Sequence, residues 1–127
     1  MPQVPRTVLL VDDHDDSRDV YRTLLEHSGY RVIEATTGAE GRAALAGDHV
    51  DLVLLDRGLP DMDGLDLMED IDPEAICVVT LSANPHRERE REALAAGCKA
   101  CLLKPVEPRD VAKVVHDLIG PARRVMA

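Results

Sequence analysis

Two short apolar runs that end abruptly in aspartate constrain the fold more than any other feature of this 127-residue chain. Residues 8–11 are followed by Asp12 and Asp13, and residues 52–55 are followed by Asp56. A continuous apolar run of this length, bounded by polar or turn residues, is typical of a strand that is buried on both faces. We therefore expect the three acids to lie where buried strands of a parallel sheet give way to loops.

Helical patterns alternate with the predicted strands along the rest of the chain. In the last helix the apolar residues follow the spacing i, i+3, i+4, i+7, i+8, and Pro108 and Gly120 stand at its two ends. This alternation predicts an α/β fold, a single doubly wound five-stranded parallel sheet with five helices. The predicted strands are residues 7–11, 31–35, 51–55, 74–81 and 100–103, and the predicted helices are residues 17–27, 39–46, 65–70, 85–96 and 108–119.

Length and charge narrow the class of protein. The size predicts a single domain over residues 1–127, with its core at about 7–120 and a frayed tail at 121–127. With 24 acidic and 15 basic side chains the formal net charge is −9, which disfavours direct binding to nucleic acid or to an anionic membrane surface. We expect a cytoplasmic location, because no apolar run could span a membrane and the N-terminus lacks the features of a secretory signal. The three cysteines fit free thiols in a reducing compartment.

The acids at the predicted strand ends suggest a specific chemistry. Strands of an open parallel sheet end at the same edge, so Asp12, Asp13 and Asp56 are expected to converge on one crevice there. Carboxylates that share a pocket repel one another unless a cation lies between them, and oxygen ligands of this number suit Mg²⁺. The cation would also neutralise phosphoryl oxygens beside a nucleophilic carboxylate.

Four motifs in this order carry a resemblance to a known family: VLLVDDH, LVLLDRGLPDMDG, VVTLSA and LLKP. Over residues 7–120 the chain resembles the receiver domain of bacterial two-component response regulators, of the single-domain chemotaxis type. The resemblance implies the flavodoxin-like strand order 2-1-3-4-5, for which receivers are a known example. It also implies a role for each of six residues: Asp56 as phosphoacceptor, Asp12 and Asp13 as the acid pair that holds Mg²⁺ with it, Gly58 as a backbone carbonyl ligand of the metal, Ser82 as the switch hydroxyl, and Lys104 as the partner of the phosphoryl group.

The function implied by this resemblance is a phosphorylation-dependent signalling switch. The phosphoryl group would come from the phosphohistidine of a sensor histidine kinase or of a histidine phosphotransfer protein. Such a protein is not an enzyme in the usual sense, since it catalyses only its own phosphoryl uptake and the hydrolysis of its aspartyl phosphate. It would signal as a monomer or weak dimer through contact of the face formed by residues 85–119 with a protein partner, and would bind neither nucleic acid nor membrane.

Two positions depart from the family pattern, and three alternatives stay open. Receivers commonly carry Tyr or Phe three residues before the lysine, where this chain has Cys101, and many carry Phe where it has Val106. The alternatives are a phosphorylation-independent interaction module, a receiver excised from a hybrid kinase or multidomain regulator, and a small phosphatase similar to haloacid-dehalogenase-like hydrolases. The phosphatase is disfavoured because those enzymes carry a second Asp two residues after the nucleophile, where this chain has Gly58.

Other reactive side chains have simpler interpretations. Cys98 and Cys101 have a C-x-x-C spacing, but no second pair of ligands follows to complete a zinc site. His14 could modulate the metal site or the access of the phosphodonor, although a role at the start of the first helix is favoured. Thr80 competes with Ser82 for the role of switch hydroxyl, and Ser82 is preferred on the family pattern. Ser82 could also cap the helix that follows it.

Overall fold

The structure is a computed structural model and describes residues 3–125 of the chain. Within these residues the strands are β1 (Gln3–Pro5), β2 (Thr7–Val11), β3 (Arg31–Ala35), β4 (Leu52–Asp56), β5 (Cys77–Ser82), β6 (Ala100–Leu103) and β7 (Arg123–Val125). The helical segments are α1 (Asp15–His27), α2 (Gly38–Gly47), a 3₁₀ helix (Gly64–Asp70), α3 (Arg87–Ala95) and α4 (Pro108–Ile119). No helix in this part of the chain has the length and apolar character needed to cross a membrane.

Five of the strands form one parallel sheet in the order β3-β2-β4-β5-β6. Counted over these five strands alone, this is the predicted order 2-1-3-4-5, so the predicted flavodoxin-like α/β fold is confirmed. The third of the five predicted helices is a short 3₁₀ helix. A helical segment follows each of the five strands. All five strands therefore end at the same edge, which we call the carboxyl edge.

Helices cover both faces of this sheet. Successive side chains of a strand point to opposite faces. Accordingly, Leu9 and Val11 of β2 pack in a cluster with the 3₁₀ helix and α3, whereas Val8 and Leu10 pack in a second cluster with α1 and α4. Every residue of β2 and of β4 is buried. Burial on both faces explains why these strands are continuous apolar runs.

The two ends of the described chain form a separate two-stranded sheet, in which β1 pairs antiparallel with β7. The pairing is supported next to β1, where the backbone N–H of Arg6 donates to Ala122 O at 2.6 Å and the Arg6 Nε donates to Pro121 O at 3.0 Å. The predicted frayed tail over residues 121–127 is therefore wrong for β7, while residues 126–127 lie outside the described part of the chain.

Two predicted elements are shorter in the structure than the sequence indicates. The fourth strand of the sheet was predicted over residues 74–81 but begins at Cys77. The cause is a turn centred on Asp72, whose carbonyl accepts the N–H of Ala75 and of Ile76 at 3.0 Å. The helix predicted over residues 85–96 is α3, which is shorter at both ends and has His86 as its N-cap.

Candidate functional site

The structure brings the three acids together at the carboxyl edge. Asp56 is the last residue of β4, and Asp12 directly follows β2, the neighbouring strand. Asp12 is fully buried, Asp56 is 4% exposed, and Asp13 is partly exposed. The backbone of Asp12 is held on both sides, since its N–H donates to Ala35 O at 3.0 Å and its carbonyl accepts from Arg18 Nη1 at 2.9 Å. The strand ends thus hold carboxylates in fixed positions.

Lys104 supplies positive charge opposite these acids. It follows β6, its backbone N–H donates to Ser82 O at 2.8 Å, and its peptide bond to Pro105 is cis. Its Nζ lies 3.3 Å from Asp12 Oδ2 and 3.2 Å from Asp56 Oδ2. Burial alone would lower the pKa of the Lys104 ammonium, but the two carboxylates outweigh burial and raise this pKa above its usual value. The ammonium is therefore charged at neutral pH.

The side chain of His14 enters the same pocket. His14 lies at the start of the first helix, as predicted, and is the N-cap of α1. Its side chain, however, makes no capping hydrogen bond. Instead, Nδ1 lies 3.1 Å from Asp12 Oδ1, 3.2 Å from Asp13 Oδ1 and 3.4 Å from Asp56 Oδ2. The hydrogen bond with Asp12 raises the pKa of His14, although burial opposes the shift. The ring thus contacts all three acids. From the sequence, a role at the metal site was less favoured than a role at the start of the helix.

The residues of this pocket fit a divalent cation. One donor atom from each of Asp12, Asp13, His14 and Asp56 lies within 4.8 Å of the others. The Oδ1 atom of Asp13 is buried and accepts no hydrogen bond among the described residues, and the His14 ring at 3.2 Å is its one charged neighbour by ion-pair distance. A buried anionic oxygen without a hydrogen bond is costly, and a bound cation would relieve that cost. The donor set is dominated by carboxylate oxygens, which suits the predicted Mg²⁺.

Two further predicted residues lie beside the acids. Gly58 donates its N–H to Asp56 Oδ1 at 2.9 Å and so orients the carboxylate. The proposed use of the Gly58 carbonyl as a metal ligand stays a prediction. Ser82 is the last residue of β5, and its Oγ accepts the N–H of Asn84 at 3.1 Å. Because the N-cap of α3 is His86, Ser82 does not cap that helix. Its role as switch hydroxyl also stays a prediction.

A cavity of about 110 Å³ lies under α3, close to the carboxyl edge. Cys101, which stands where receivers commonly carry an aromatic ring, lines this cavity together with Thr80 and Ser82. Cys98 is 5% exposed, and burial raises the pKa of its thiol to about 11. A thiol with so high a pKa is a poor nucleophile and metal ligand at neutral pH. Over residues 3–125, the acid pocket is the one group of ligating side chains close enough to share an ion.

Sequence reasoning missed Arg57, which directly follows Asp56. Its side chain is only 2% exposed and pairs with Asp63 and Glu92. A charged residue just after a strand usually predicts an exposed loop position, because arginine is rarely buried. The one signal in the sequence is the nearby acid Asp63, since a buried arginine needs a carboxylate partner.

Comparison with known proteins agrees with this geometry. A family model described as the response regulator receiver domain matches residues 8–116. The nitrate/nitrite response regulator protein NarL of Escherichia coli (strain K12) is 32% identical over 119 residues, which cover 91% of this chain and 55% of that protein. The polar-differentiation response regulator DivK of Brucella ovis is 28% identical over 121 residues, or 92% of this chain and 98% of that protein. The chain thus spans about half the length of NarL.

Solved structures show the same fold. The crystal structure of a CheY-like response regulator receiver domain protein from Methanospirillum hungatei JF-1 superposes with a TM-score of 0.81 at 30% sequence identity. The match covers 90% of this chain and 93% of that chain. The agreement therefore extends over most of the chain.

Proposed function

Because the chain belongs to the response regulator receiver domain family, we propose that it is a phosphorylation-dependent signalling switch with Asp56 as its phosphoacceptor. The observation that carries the proposal is the meeting of Asp12, Asp56 and Lys104, in which one ammonium lies within 3.3 Å of two buried carboxylates. Buried charges are retained at a cost in stability, and such clusters are common at reactive sites.

The geometry suits Asp56 as a nucleophile. Its Oδ1 accepts the N–H of Gly58, and its Oδ2 faces the ammonium of Lys104, so the carboxylate cannot rotate freely. In the proposed step a carboxylate oxygen attacks the phosphorus of a phosphohistidine. The bond between phosphorus and nitrogen breaks, the imidazole leaves with the electron pair, and an acyl phosphate forms on Asp56. The Lys104 ammonium then balances the negative charge that the phosphoryl oxygens bring.

The metal in this proposal is Mg²⁺, with Asp12, Asp13, Asp56 and the Gly58 carbonyl as its protein ligands. When bound, it would neutralise the oxygens of the transferred phosphoryl group. The acids of this chain would hold and orient it, and the Oδ1 atom of Asp13, which accepts no hydrogen bond, would gain a ligand bond. In this proposal the same residues promote phosphoryl uptake and the hydrolysis of the acyl phosphate, so the protein is a switch and not an enzyme that acts on a separate substrate.

The proposed partners follow from the same role. The phosphodonor is a sensor histidine kinase or a histidine phosphotransfer protein, which places the chain in the cytoplasm. The output is contact between a protein partner and the face formed by residues 85–119. This face carries two large apolar side chains that are exposed to solvent, since Leu94 is 47% and Leu103 is 51% exposed. Exposed apolar side chains on a charged surface favour a protein partner. The net charge of −9 argues against direct contact with nucleic acid.

The test is phosphorylation by a small donor. Wild-type protein is incubated with phosphoramidate and Mg²⁺, and its intact mass is measured. We expect a gain of one phosphoryl group that is lost when EDTA replaces Mg²⁺. Asp56→Asn should take up none, whereas Asp66→Asn, a matched change of an exposed acid in the 3₁₀ helix, should behave as wild type. Full labelling of Asp56→Asn would place the acceptor elsewhere. If the wild type takes up no phosphoryl group, the protein is instead a phosphorylation-independent interaction module.

A further inference from the structure

Arg57 is the one basic residue that is buried in the part of the chain that the structure describes. Its guanidinium donates hydrogen bonds to three different residues. Nε and Nη2 donate to the two carboxylate oxygens of Asp63 at 3.2 and 2.9 Å, and Nη2 also reaches Glu92 Oε2 at 3.3 Å. Nη1 donates to the backbone carbonyl of Arg89 at 2.8 Å. A planar fork can make all these bonds at once, which a lysine could not.

These bonds connect two separate parts of the molecule. Asp63 precedes the 3₁₀ helix on the loop that follows Asp56, while Arg89 and Glu92 belong to α3. Arg57 is itself bonded to Asp56 through the chain, and its backbone N–H donates to Leu81 O at 3.0 Å. One side chain therefore ties the phosphoacceptor loop directly to α3.

The hydrogen bonds of Arg57 matter because α3 buries little apolar surface against the rest of the protein. Ala93 is its one buried residue, and Leu94 is exposed to solvent. By contrast, α1 buries Tyr21 and Leu25, which have far more apolar surface than an alanine. Stabilisation by burial scales with apolar area, so α3 gains little from its packing. Hydrogen bonds from a buried charge are among the stronger polar interactions, and those of Arg57 are a large share of what anchors α3.

Arg57 also lies in the region where this chain lacks the aromatic ring that receivers commonly carry. The cavity under α3 is lined by Arg57 together with Cys101, which stands at the position of the missing aromatic ring. The Cys101 thiol reaches α3 only through a long contact of 4.0 Å with the carbonyl of Glu90. The Arg57 guanidinium, which lies in the same region, bonds to α3 at the shorter distances of 2.8 and 3.3 Å.

We propose that Arg57 is a positioning residue that couples the state of Asp56 to α3, in place of an aromatic relay. The inference rests on the proposed function, since it requires Asp56 to be modified. A phosphoryl group adds strong acceptor oxygens and negative charge at Asp56. Without the phosphoryl group, the Asp56 carboxylate accepts the N–H of Gly58. The added group forces this hydrogen bond to rearrange, and the backbone of Arg57 connects Asp56 with Gly58. A shift of that backbone moves the guanidinium and, through it, the Arg89 carbonyl and Glu92.

The experiment measures hydrogen exchange of the backbone amides of α3 with and without beryllofluoride, which mimics the phosphoryl group, in the presence of Mg²⁺. In the wild type we expect exchange in α3 to change by roughly 2- to 30-fold between the two states, the range expected for residue-level coupling. Arg57→Met keeps an unbranched side chain but removes every polar bond, so it should erase this difference. Arg91→Met, a matched change at an exposed arginine of α3, should preserve it.

A structural role alone would give a different result. If Arg57 only holds α3 in place, Arg57→Met will speed exchange equally in both states and leave their ratio unchanged, which would overturn the proposal. Should Arg57→Met fail to fold, Glu92→Gln serves instead, because Glu92 is 55% exposed and its loss weakens one arm of the fork. We expect Glu92→Gln to reduce the ratio, and an unchanged ratio would overturn the proposal.

Uptake of beryllofluoride is followed separately by fluorine NMR, so the two proposals fail in different ways. If the wild type and both variants bind beryllofluoride but α3 does not respond in the wild type, the coupling proposal is wrong and the proposed function stands. If the wild type binds no beryllofluoride and takes up no phosphoryl group, the proposed function is wrong and the coupling proposal falls with it.

Discussion

The carboxyl edge and α3 lie side by side but are stabilised by different means. At the carboxyl edge, the carboxylates of Asp12 and Asp56 are buried, and each contacts the Lys104 ammonium and a backbone N–H. In α3 most residues face solvent, and Ala93 is its one buried residue. Segments with few buried contacts open at lower free energy than the core. The carboxyl edge should therefore be rigid, and α3 should adjust easily.

Under the proposed function, the difference means that the reaction at Asp56 and the response of α3 have separate structural requirements. A reactive carboxylate needs fixed neighbours, because small displacements are costly for the chemistry. An output element needs two arrangements of similar free energy, which a densely packed helix would not have. Arg57 is the residue common to both regions. The predictions below test this contrast.

The largest effect is expected at Gly64, which lies against the backbone of Asp56 and Arg57. A Cβ added there would overlap the carbonyl oxygen of Asp56 and lie 3.0 Å from the Cα of Arg57, and neither backbone atom can move away cheaply. We expect Gly64→Ala to lower the free energy of unfolding by about 3 kcal/mol, the upper range for overpacking. Urea denaturation measures the change.

The control for Gly64→Ala is a glycine with open surroundings. At Gly47, the last residue of α2, an added Cβ meets no atom within 4 Å. Gly47→Ala should therefore raise stability by about 0.5 kcal/mol, because alanine favours the helix. If Gly64→Ala cost no more than about 1 kcal/mol, the loop that follows Asp56 would be softer than its contacts indicate.

A smaller effect is expected at Lys104, which belongs to the rigid region. Lys104→Met removes the positive charge between Asp12 and Asp56, so we expect a loss of about 2 kcal/mol in the absence of Mg²⁺, typical of a hydrogen-bonded charge. Saturating Mg²⁺ should restore most of it, because the ion supplies positive charge to the same carboxylates. Lys113→Met, at an exposed position of α4, is the control and should change little. A loss that Mg²⁺ does not reduce would show that the ion binds elsewhere.

The contribution of Lys104 to the free energy of unfolding depends on pH in a definite direction. The pKa of Lys104 is raised in the folded state. A raised folded-state pKa means that the stabilisation is fully present below the unfolded-state pKa of about 10.4 and is lost as pH rises through the folded-state pKa. The stability difference between wild type and Lys104→Met should thus be constant from neutral pH to about pH 10 and should shrink only above it.

The smallest effect is expected at Cys98, just after α3. Burial raises the pKa of this thiol to about 11. Because the thiolate is the reactive form, we expect iodoacetamide to leave Cys98 of the native protein largely unmodified at pH 8, with labelling rising only as pH approaches that pKa. Cys77 and Cys101 are less buried and should react first. Peptide mapping by mass spectrometry gives the order. Labelling of Cys98 as fast as that of Cys101 would show that the region beside α3 opens even without phosphorylation.

Much of the fold and site could be predicted because the strongest sequence signals are local. The buried strands β2 and β4 are uninterrupted apolar runs, and their ends place Asp12 and Asp56 at one edge by topology alone. The position of Lys104 followed from the motif after β6. The period of the apolar residues predicted the strands and the meeting of the acids, whereas the strand order and the role of Lys104 came from the resemblance to receivers. Neither source requires knowledge of side-chain contacts.

The features that could not be predicted depend on contacts between distant segments. The pairing of β1 with β7 joins residues about as far apart as the chain allows, and neither segment has a strong strand pattern. The burial of Arg57 depends on Arg89 and Glu92 of α3, which a local pattern cannot place opposite it. The ring of His14 lies among the acids because a carboxylate cluster attracts a donor, and the sequence shows only that the residue begins a helix.

The near absence of aromatic residues gives this protein a simple ultraviolet spectrum. With no Trp or Phe, its absorbance and emission come from Tyr21 and Tyr30. The ring of Tyr21 lines a groove shared with Lys104, so we expect its environment to change when charge is added at Asp56. Tyr30 precedes β3 at the opposite edge of the sheet, where its hydroxyl donates to Gly120 O. One chromophore should therefore report on the proposed phosphoacceptor while the other serves as an internal reference, and no label has to be attached.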